Sequence, residues 1–149
     1  MLLQFGPLMA DVPEGWIDVT EQVPVPDPPI TLARLNGAGA LQFSTAEFTE
    51  GIPPNPMRSD LQEFLEQKAV QDRWGPPIRH ETGTGSMMFA SGEFRVGQDY
   101  MKAWYLSDGR NFAFATYVCD WAEQEQERGE VEAIVRSLSF AADWSEANG

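Results

Sequence analysis

From residue 78 to 118 the chain has the texture of antiparallel sheet, and three aromatic-rich runs within it, SMMFASGEFRV, YMKAWYL and NFAFATYV, are separated only by GQD and by SDGR. Connections that short leave no room for a crossover, so the runs must fold back on one another as antiparallel strands. Asp108-Gly109 supplies the positive-φ turn that a tight hairpin needs. In the last run Phe112, Phe114, Thr116 and Val118 alternate with Ala113, Ala115 and Tyr117. One face of the sheet is therefore bulky, and the other has small residues that let a helix approach closely.

The flanking segments complete the pattern. ITLARL and ALQFST are each about one strand long, and NGAG between them marks a second hairpin. LLQF, LMADVP and WIDVT read as shorter extended pieces, broken at Gly6-Pro7 and at the turn PEGW. VPVPDPP is excluded from helix and from a central strand because each proline removes a backbone donor, so it is expected as exposed loop or edge. TEGIPPNP closes this region in the same way.

Residues 56 to 74 predict the first helix, with Leu61, Phe64, Leu65 and the stem of Lys68 on one face. Asn55 with Pro56, or Ser59 with Gln62 one turn later, would start it, and Gly75-Pro76-Pro77 would stop it. A second helix falls within 120 to 138, with Asp120 and Glu123 as a capping pair and Val131, Ile134, Val135 and Leu138 as its apolar stripe. Gly129 weakens the helix locally, so its regular part is expected to begin near there. SLSF then reads as a short strand or cap, and residues 141 to 149 as a polar, frayed tail. This order specifies one α+β domain, an antiparallel sheet flanked by helices.

Composition narrows what such a domain could meet. A chain of 149 residues with 42 % hydrophobic content can bury a core without disulfides or metal, and no apolar run reaches membrane-span length. Twenty-three acids against ten bases give a formal charge of −13, of which residues 1 to 55 carry −6 and residues 120 to 136 carry −4. That balance argues against nucleic acid and anionic membranes as partners and favours encounter with a basic protein. A single cysteine rules out an intramolecular disulfide. MLLQFGPLMADVPEG lacks the basic start of a signal peptide, so the chain reads as cytoplasmic, or periplasmic where a leader has been removed.

The opening DVPEGW, the hairpin ending in LQFST, the mid-chain helix, the aromatic meander ending in TYVC and the final IVRSLSF together resemble the PsbP/Mog1-like superfamily over residues 2 to 140. That group includes the photosystem II extrinsic subunit, the Ran-binding Mog1 protein, DcrB-type lipoproteins and the Eag chaperones of type VI secretion effectors. The resemblance implies an α/β/α sandwich used for binding, without shared catalytic residues. The chain departs from the DcrB type in having no cysteine near its start. It departs from the Eag type in holding STAEFTEG where an arginine tends to follow the second strand. Small acidic proteins of this architecture also occur as immunity proteins beside bacterial toxins.

Candidate chemistry is sparse. Cys119 and His80, the only thiol and imidazole, could form a nucleophilic pair oriented by Asp120 or Glu81. The acids that follow Cys119 disfavour its thiolate, and a buried strand-end cysteine is the simpler reading. Acids in EQEQERGEVE recur at spacings of two and point around a helix rather than at one ion, so neither metal nor cofactor is expected. ETGTGS at 81 to 86 precedes a strand and reads as a hairpin or flexible turn rather than a phosphate loop.

The aromatic residues carry more weight. Trp16, Trp74, Trp104 and Trp121, with Tyr100, Tyr105 and Tyr117, exceed what a small core must hold, and exposed aromatics beside acids would suit a basic protein partner. The expected partner-binding residues are Trp121, Asp120, Glu123, Glu127, Trp104 and Tyr105. The functional expectation is a non-enzymatic binding module, an acidic immunity or inhibitor protein that neutralises a bacterial toxin, present as monomer or homodimer. The alternatives are an adaptor chaperone for a secreted type VI effector and a Cys119/His80 hydrolase or transferase.

Overall fold

The structure is a computed structural model and describes residues 1–48 and 50–141. In chain order the elements are β1 (Leu2–Phe5), β2 (Leu8–Asp11), β3 (Trp16–Asp18), a 3-10 turn (Thr20–Gln22), β4 (Ile30–Arg34), β5 (Gly39–Ala46) and α1 (Arg58–Gln71). They continue with β6 (Arg79–Thr84), β7 (Met88–Val96), β8 (Asp99–Ser107), β9 (Phe112–Asp120), a second 3-10 turn (Trp121–Glu123), α2 (Arg128–Ser137) and β10 (Ser139–Phe140).

Seven strands form one antiparallel sheet in the order β3-β4-β5-β9-β8-β7-β6. The short turns between β7, β8 and β9 produce the meander, and Gly109 adopts φ +99° in the last of them. The NGAG hairpin joins β4 to β5, with Asn36 at φ +58°. The strand β5 then pairs with β9, so the α1–β8 excursion is inserted between two neighbouring strands. A smaller sheet, β1-β2-β10, ties the first two strands to the last described one.

The two faces of the large sheet have separate cores. Ala113, Ala115, Tyr117 and Cys119 of β9 pack with Phe89, Trp104 and Leu41 against Val131, Ile134 and Val135 of α2 and Leu8 and Ala10 of β2. The alanines predicted to admit a close helix face this layer. On the opposite face Leu65 and Ala69 of α1 pack on Phe94, Met101 and Ala103, with Trp74, Tyr105 and Phe114 at the margin. The result is an α+β fold with an antiparallel sheet flanked by helices.

Both helices are shorter than their sequence patterns suggest. The N-cap of α1 is Met57 rather than Asn55 or Ser59, because the Asp60 carboxylate accepts the Met57 backbone N–H at 2.7 Å. Asn55 instead has φ +43° and donates its N–H to the Gly109 carbonyl at 2.8 Å. α1 also ends before the prolines, through a residue in the left-handed region, Arg73. At the second helix Asp120 is the last residue of β9, its side chain caps nothing, and regular helix waits until Arg128, close to Gly129.

Two further expectations are narrowed, the first of them to a hairpin between β6 and β7. The first four residues of ETGTGS belong to β6, and the turn is confined to Gly85 and Ser86, where the Gly85 N–H meets the Met87 carbonyl at 2.9 Å. Ala141 is buried and bonded to the Pro7 carbonyl at 2.9 Å, and the rest of the predicted tail lies outside the described residues. No described helix is long and apolar enough to cross a membrane.

Candidate functional site

The six residues singled out in the sequence fall into three places. Trp104 is 1 % exposed in the α2-side core, where its indole N–H has no hydrogen-bond partner among the described residues. Glu127 is also buried, accepting the Tyr117 hydroxyl at 2.7 Å and the Gly39 N–H at 3.1 Å. Neither can belong to an exposed paratope: the alternation of β8 turns Trp104 inward, and the N-cap position of α2 turns Glu127 toward β5 and β9. Tyr105 lies on the α1 face, half-buried against Phe114 at 4.8 Å and Phe64 at 6.2 Å. Burial raises its hydroxyl pKa.

Trp121, Asp120 and Glu123 do stay together at the end of β9. Trp121 is half-buried, with the Arg95 guanidinium 4.5 Å from its ring and Tyr100 6.2 Å away. Asp120 is exposed and sits directly opposite Asp99 in the β8–β9 register. Among the described residues, then, every Trp and Tyr is buried or half-buried. A flat, aromatic surface is not what this fold presents.

The thiol–imidazole pair fails on topology. The register runs His80 to Gly92 to Ala103 to Thr116, which puts His80 on the α1 face. Cys119 faces the α2-side core. Three strand spacings and three residues along β9 separate them by roughly 17 Å across opposite faces of the sheet. Burial raises the Cys119 pKa, and Glu123, Glu127 and Asp120 push the same way against the opposing bond to Tyr117. Cys119 is a core residue.

What the fold does assemble is a groove of about 590 Å³ between α1, the Gly75-Pro76-Pro77 segment and the β6–β7 pair. Its floor is Leu65, Ala69 and Phe94, each 5 % exposed or less, and Gly92. A Cβ at Gly92 would stand 3.0 Å from the Phe94 ring and 3.4 Å from a Leu65 methyl, so a glycine keeps this floor open. Along the rim lie Gln62, Glu66, Arg73 and His80, together with Val70, which is 80 % exposed.

The end of α1 shapes that rim. Trp74 donates its N–H to Ala69 at 2.9 Å and Arg73 donates to Val70 at 3.3 Å, a Schellman closure in which Arg73 holds φ +59° where glycine is usual. The turn drops the Trp74 ring onto Phe94, centroids 5.2 Å apart, and sends the following glycine and prolines along the groove wall. The fixed φ of two consecutive prolines makes that wall stiff.

The other face of the same sheet edge is charged. Glu93, 6 % exposed, accepts the Tyr100 hydroxyl at 2.5 Å and Arg128 at 2.9 Å, with Arg79 at 3.7 Å. Burial opposes ionisation of Glu93, but Tyr100, Arg128 and Lys102 outweigh it and hold the carboxyl below its ordinary range. Burial and the Glu93 carboxylate together push the Tyr100 hydroxyl pKa well up. Lys102 pairs with Glu132, which also meets Arg136 at 3.4 Å, and Arg136 reaches Glu81 of β6 at 3.0 Å. Sequence reading missed both features, because β6 is polar throughout and Glu93 sits inside an otherwise apolar run.

Comparisons with known proteins address the fold. No family model matches the chain, and no curated protein does. The solution structure of cyanobacterial PsbP (CyanoP) from Synechocystis sp. PCC 6803 superposes with a TM-score of 0.61 at 13 % identity, covering 91 % of this chain and 88 % of that one. A crystal structure from Bacteroides thetaiotaomicron VPI-5482 superposes with a TM-score of 0.57 at 10 % identity, covering 92 % of this chain but 46 % of that one. At such identities the likeness concerns backbone architecture alone, and on that ground this chain has a PsbP-like fold.

Proposed function

We propose that the chain is a non-enzymatic protein-binding module whose recognition site is the groove between α1 and the β6–β7 pair. The observation that carries this reading is an open groove of about 590 Å³ whose floor of Leu65, Ala69 and Phe94 is apolar, a volume that accepts several side chains. Its occupant is a polypeptide segment that presents apolar side chains. The separation of Cys119 from His80 counts against a hydrolase or transferase built on that pair, and the PsbP-like fold is compatible with a binding role without assigning one. Of the finer readings, an adaptor that holds an apolar stretch of a secreted effector uses this groove most directly.

The test is to isolate the partner from the native organism and titrate it against variants. Val70→Asp changes an exposed rim residue and should weaken binding by about tenfold or more while leaving the unfolding midpoint nearly unchanged. Equal affinities for wild type and Val70→Asp would overturn the groove reading.

The acid surplus supports a second reading, the immunity protein that neutralises a basic toxin. Arg34 is the first basic residue of the chain, and Glu14, Asp18, Glu21 and Asp27 before it are all exposed. Electrostatic docking there would be steered at low salt and would weaken as salt rises. Charge reversal at Glu21 and Asp27, or at Asp120 and Glu123, would slow association under this reading. It would leave the rate to a groove-bound partner unchanged.

A further inference from the structure

Strand β6 is the outer strand of the seven-stranded sheet and, among the described residues, pairs with β7 alone. Both ends of the pair show which backbone groups point outward. The Ile78 N–H reaches the Glu93 carbonyl at 2.7 Å at one end, and the Gly85 N–H reaches the Met87 carbonyl at 2.9 Å at the other. In an antiparallel pair, inward and outward backbone groups alternate. The phase is set by the acceptors, since Glu93 and Met87 stand an even number of residues apart and both face β6. Their in-register partners Arg79, Glu81 and Gly83 bond toward β7, Ile78 is an extra, bulged residue at the Glu93 end, and the N–H and C=O of His80, Thr82 and Thr84 face away. Five of the six β6 residues are exposed, and Gly83 is half-buried.

Exposed edges are hazards that proteins normally cover, twist or shorten. This one is six residues long and carries grooves of opposite character on its two faces. His80 lies on the apolar side, beside the groove over Leu65, Ala69 and Phe94. Arg79 and Glu81 lie on the charged side, beside a hollow of about 260 Å³ that is also lined by Lys102, Arg128 and Arg136 and by the carboxylates of Glu93 and Glu132. Arg79 is the least committed cation of this group, with its side chain 74 % exposed and, among the described residues, a single ion-pair contact at 3.7 Å. Arg136 is 46 % exposed. Four cations against Glu81, Glu93 and Glu132 leave this hollow with a balance of one positive charge, opposite in sign to the chain as a whole.

We propose that the partner segment binds by strand addition to β6, extending the sheet by one antiparallel or parallel strand whose side chains alternate between apolar and acidic. This rests on the groove as the recognition site and specifies how the groove is used. Residues of the added strand opposite His80 and Thr82 point to the α1 face, where the apolar floor receives them. Their neighbours point to the opposite face, where carboxylates meet Arg79 and Arg136. Backbone bonds to His80, Thr82 and Thr84 give the register, and the two grooves give the sequence preference. Elsewhere the protein's acid surplus repels an acidic segment and so leaves this edge as its place of contact.

The probe is a capped nine-residue peptide of alternating leucine and glutamate, titrated into the full chain while amide resonances and amide hydrogen exchange are followed. The proposal expects shifts at groove residues such as Leu65 and Val70, together with slowed exchange at His80, Thr82 and Thr84. Two changes should each weaken binding by about tenfold: Thr82→Pro, which removes an outward donor at an edge position that tolerates proline, and N-methylation of alternate peptide amides, which leaves the protein untouched. A leucine–lysine peptide should bind more weakly than the leucine–glutamate peptide. Groove shifts without slowed exchange at the three outward amides, and with N-methylation harmless, would overturn strand addition while leaving the groove reading intact. Absence of both effects at millimolar peptide would overturn the two together.

Discussion

The faces of the seven-stranded sheet are covered to different depths. On one side α2 and β2 close completely over β9: Leu8, Ile134, Val135 and Leu138 are at most 1 % exposed, and the buried hydroxyls of Tyr100 and Tyr117 are bonded to Glu93 and Glu127. On the other side α1 crosses alone, leaving the groove toward β6 and a second hollow of about 540 Å³ toward Pro28 and Pro29. The difference comes from how each layer is built. The α2 layer is braced by a small sheet that joins β1 and β2 to β10, whereas α1 is held by Leu61, Leu65, Ala69 and the Trp74 turn. Stability is concentrated on the first face, and apolar surface is left available on the second.

The largest test of that contrast is a pair of truncations. Ile134→Ala empties a site with no route for collapse or solvent and should cost about 4 kcal/mol. Leu65→Ala enlarges a groove that is already open and should cost about 2 kcal/mol, the low end for such a change. Urea unfolding of the two variants measures both. Equal losses would mean that the α1 face is as tightly packed as the other.

A second test uses acid. Glu93 is held ionised in the folded chain, so its contribution is present above the ordinary carboxyl pKa of 4.5 and is lost as pH falls through its depressed folded value. Glu93→Gln keeps an acceptor for Tyr100 but removes the charge that Arg128 needs, and should cost about 1–3 kcal/mol at neutral pH. The stability curves of wild type and variant should then converge as pH falls below 4.5. A gap that stays constant with pH would show that this buried carboxylate does not carry the charged side of the sheet.

These features were unequally visible in the sequence. The meander and the NGAG hairpin were legible because period-2 alternation and turn chemistry are local properties. The cap of α1 was not, since Asp60 reaches back to a methionine that no capping pattern would select. β6 fell inside the expected sheet region but could not be delimited as a strand: RHETGT lacks the apolar alternation that marks a half-buried strand, because it stands at an edge with both faces wet. The groove was hidden for a different reason. It arises from what Gly92 lacks and from where α1 happens to stop, and neither leaves a periodic signal. The aromatic residues misled in the opposite direction, since Trp104 and Tyr117 signalled binding by their type but spend their area on the α2-side core.

The smallest expected effect bears on why the α1 face stays open. Arg73 holds φ +59°, although this C-terminal position of a Schellman turn ordinarily selects glycine. Relief of the strain by Arg73→Gly, offset by the greater chain entropy of glycine, should raise stability by about 0.5 kcal/mol. Arg73→Ala removes the charge but keeps the strained conformation, so it should gain nothing. If Arg73 is kept for the guanidinium it places on the groove rim, both substitutions should weaken partner binding equally despite their different stabilities. If only Arg73→Gly weakens binding, the stiff rim turn rather than its charge is what the partner requires, and the openness of this face depends on a strained residue being retained at its edge.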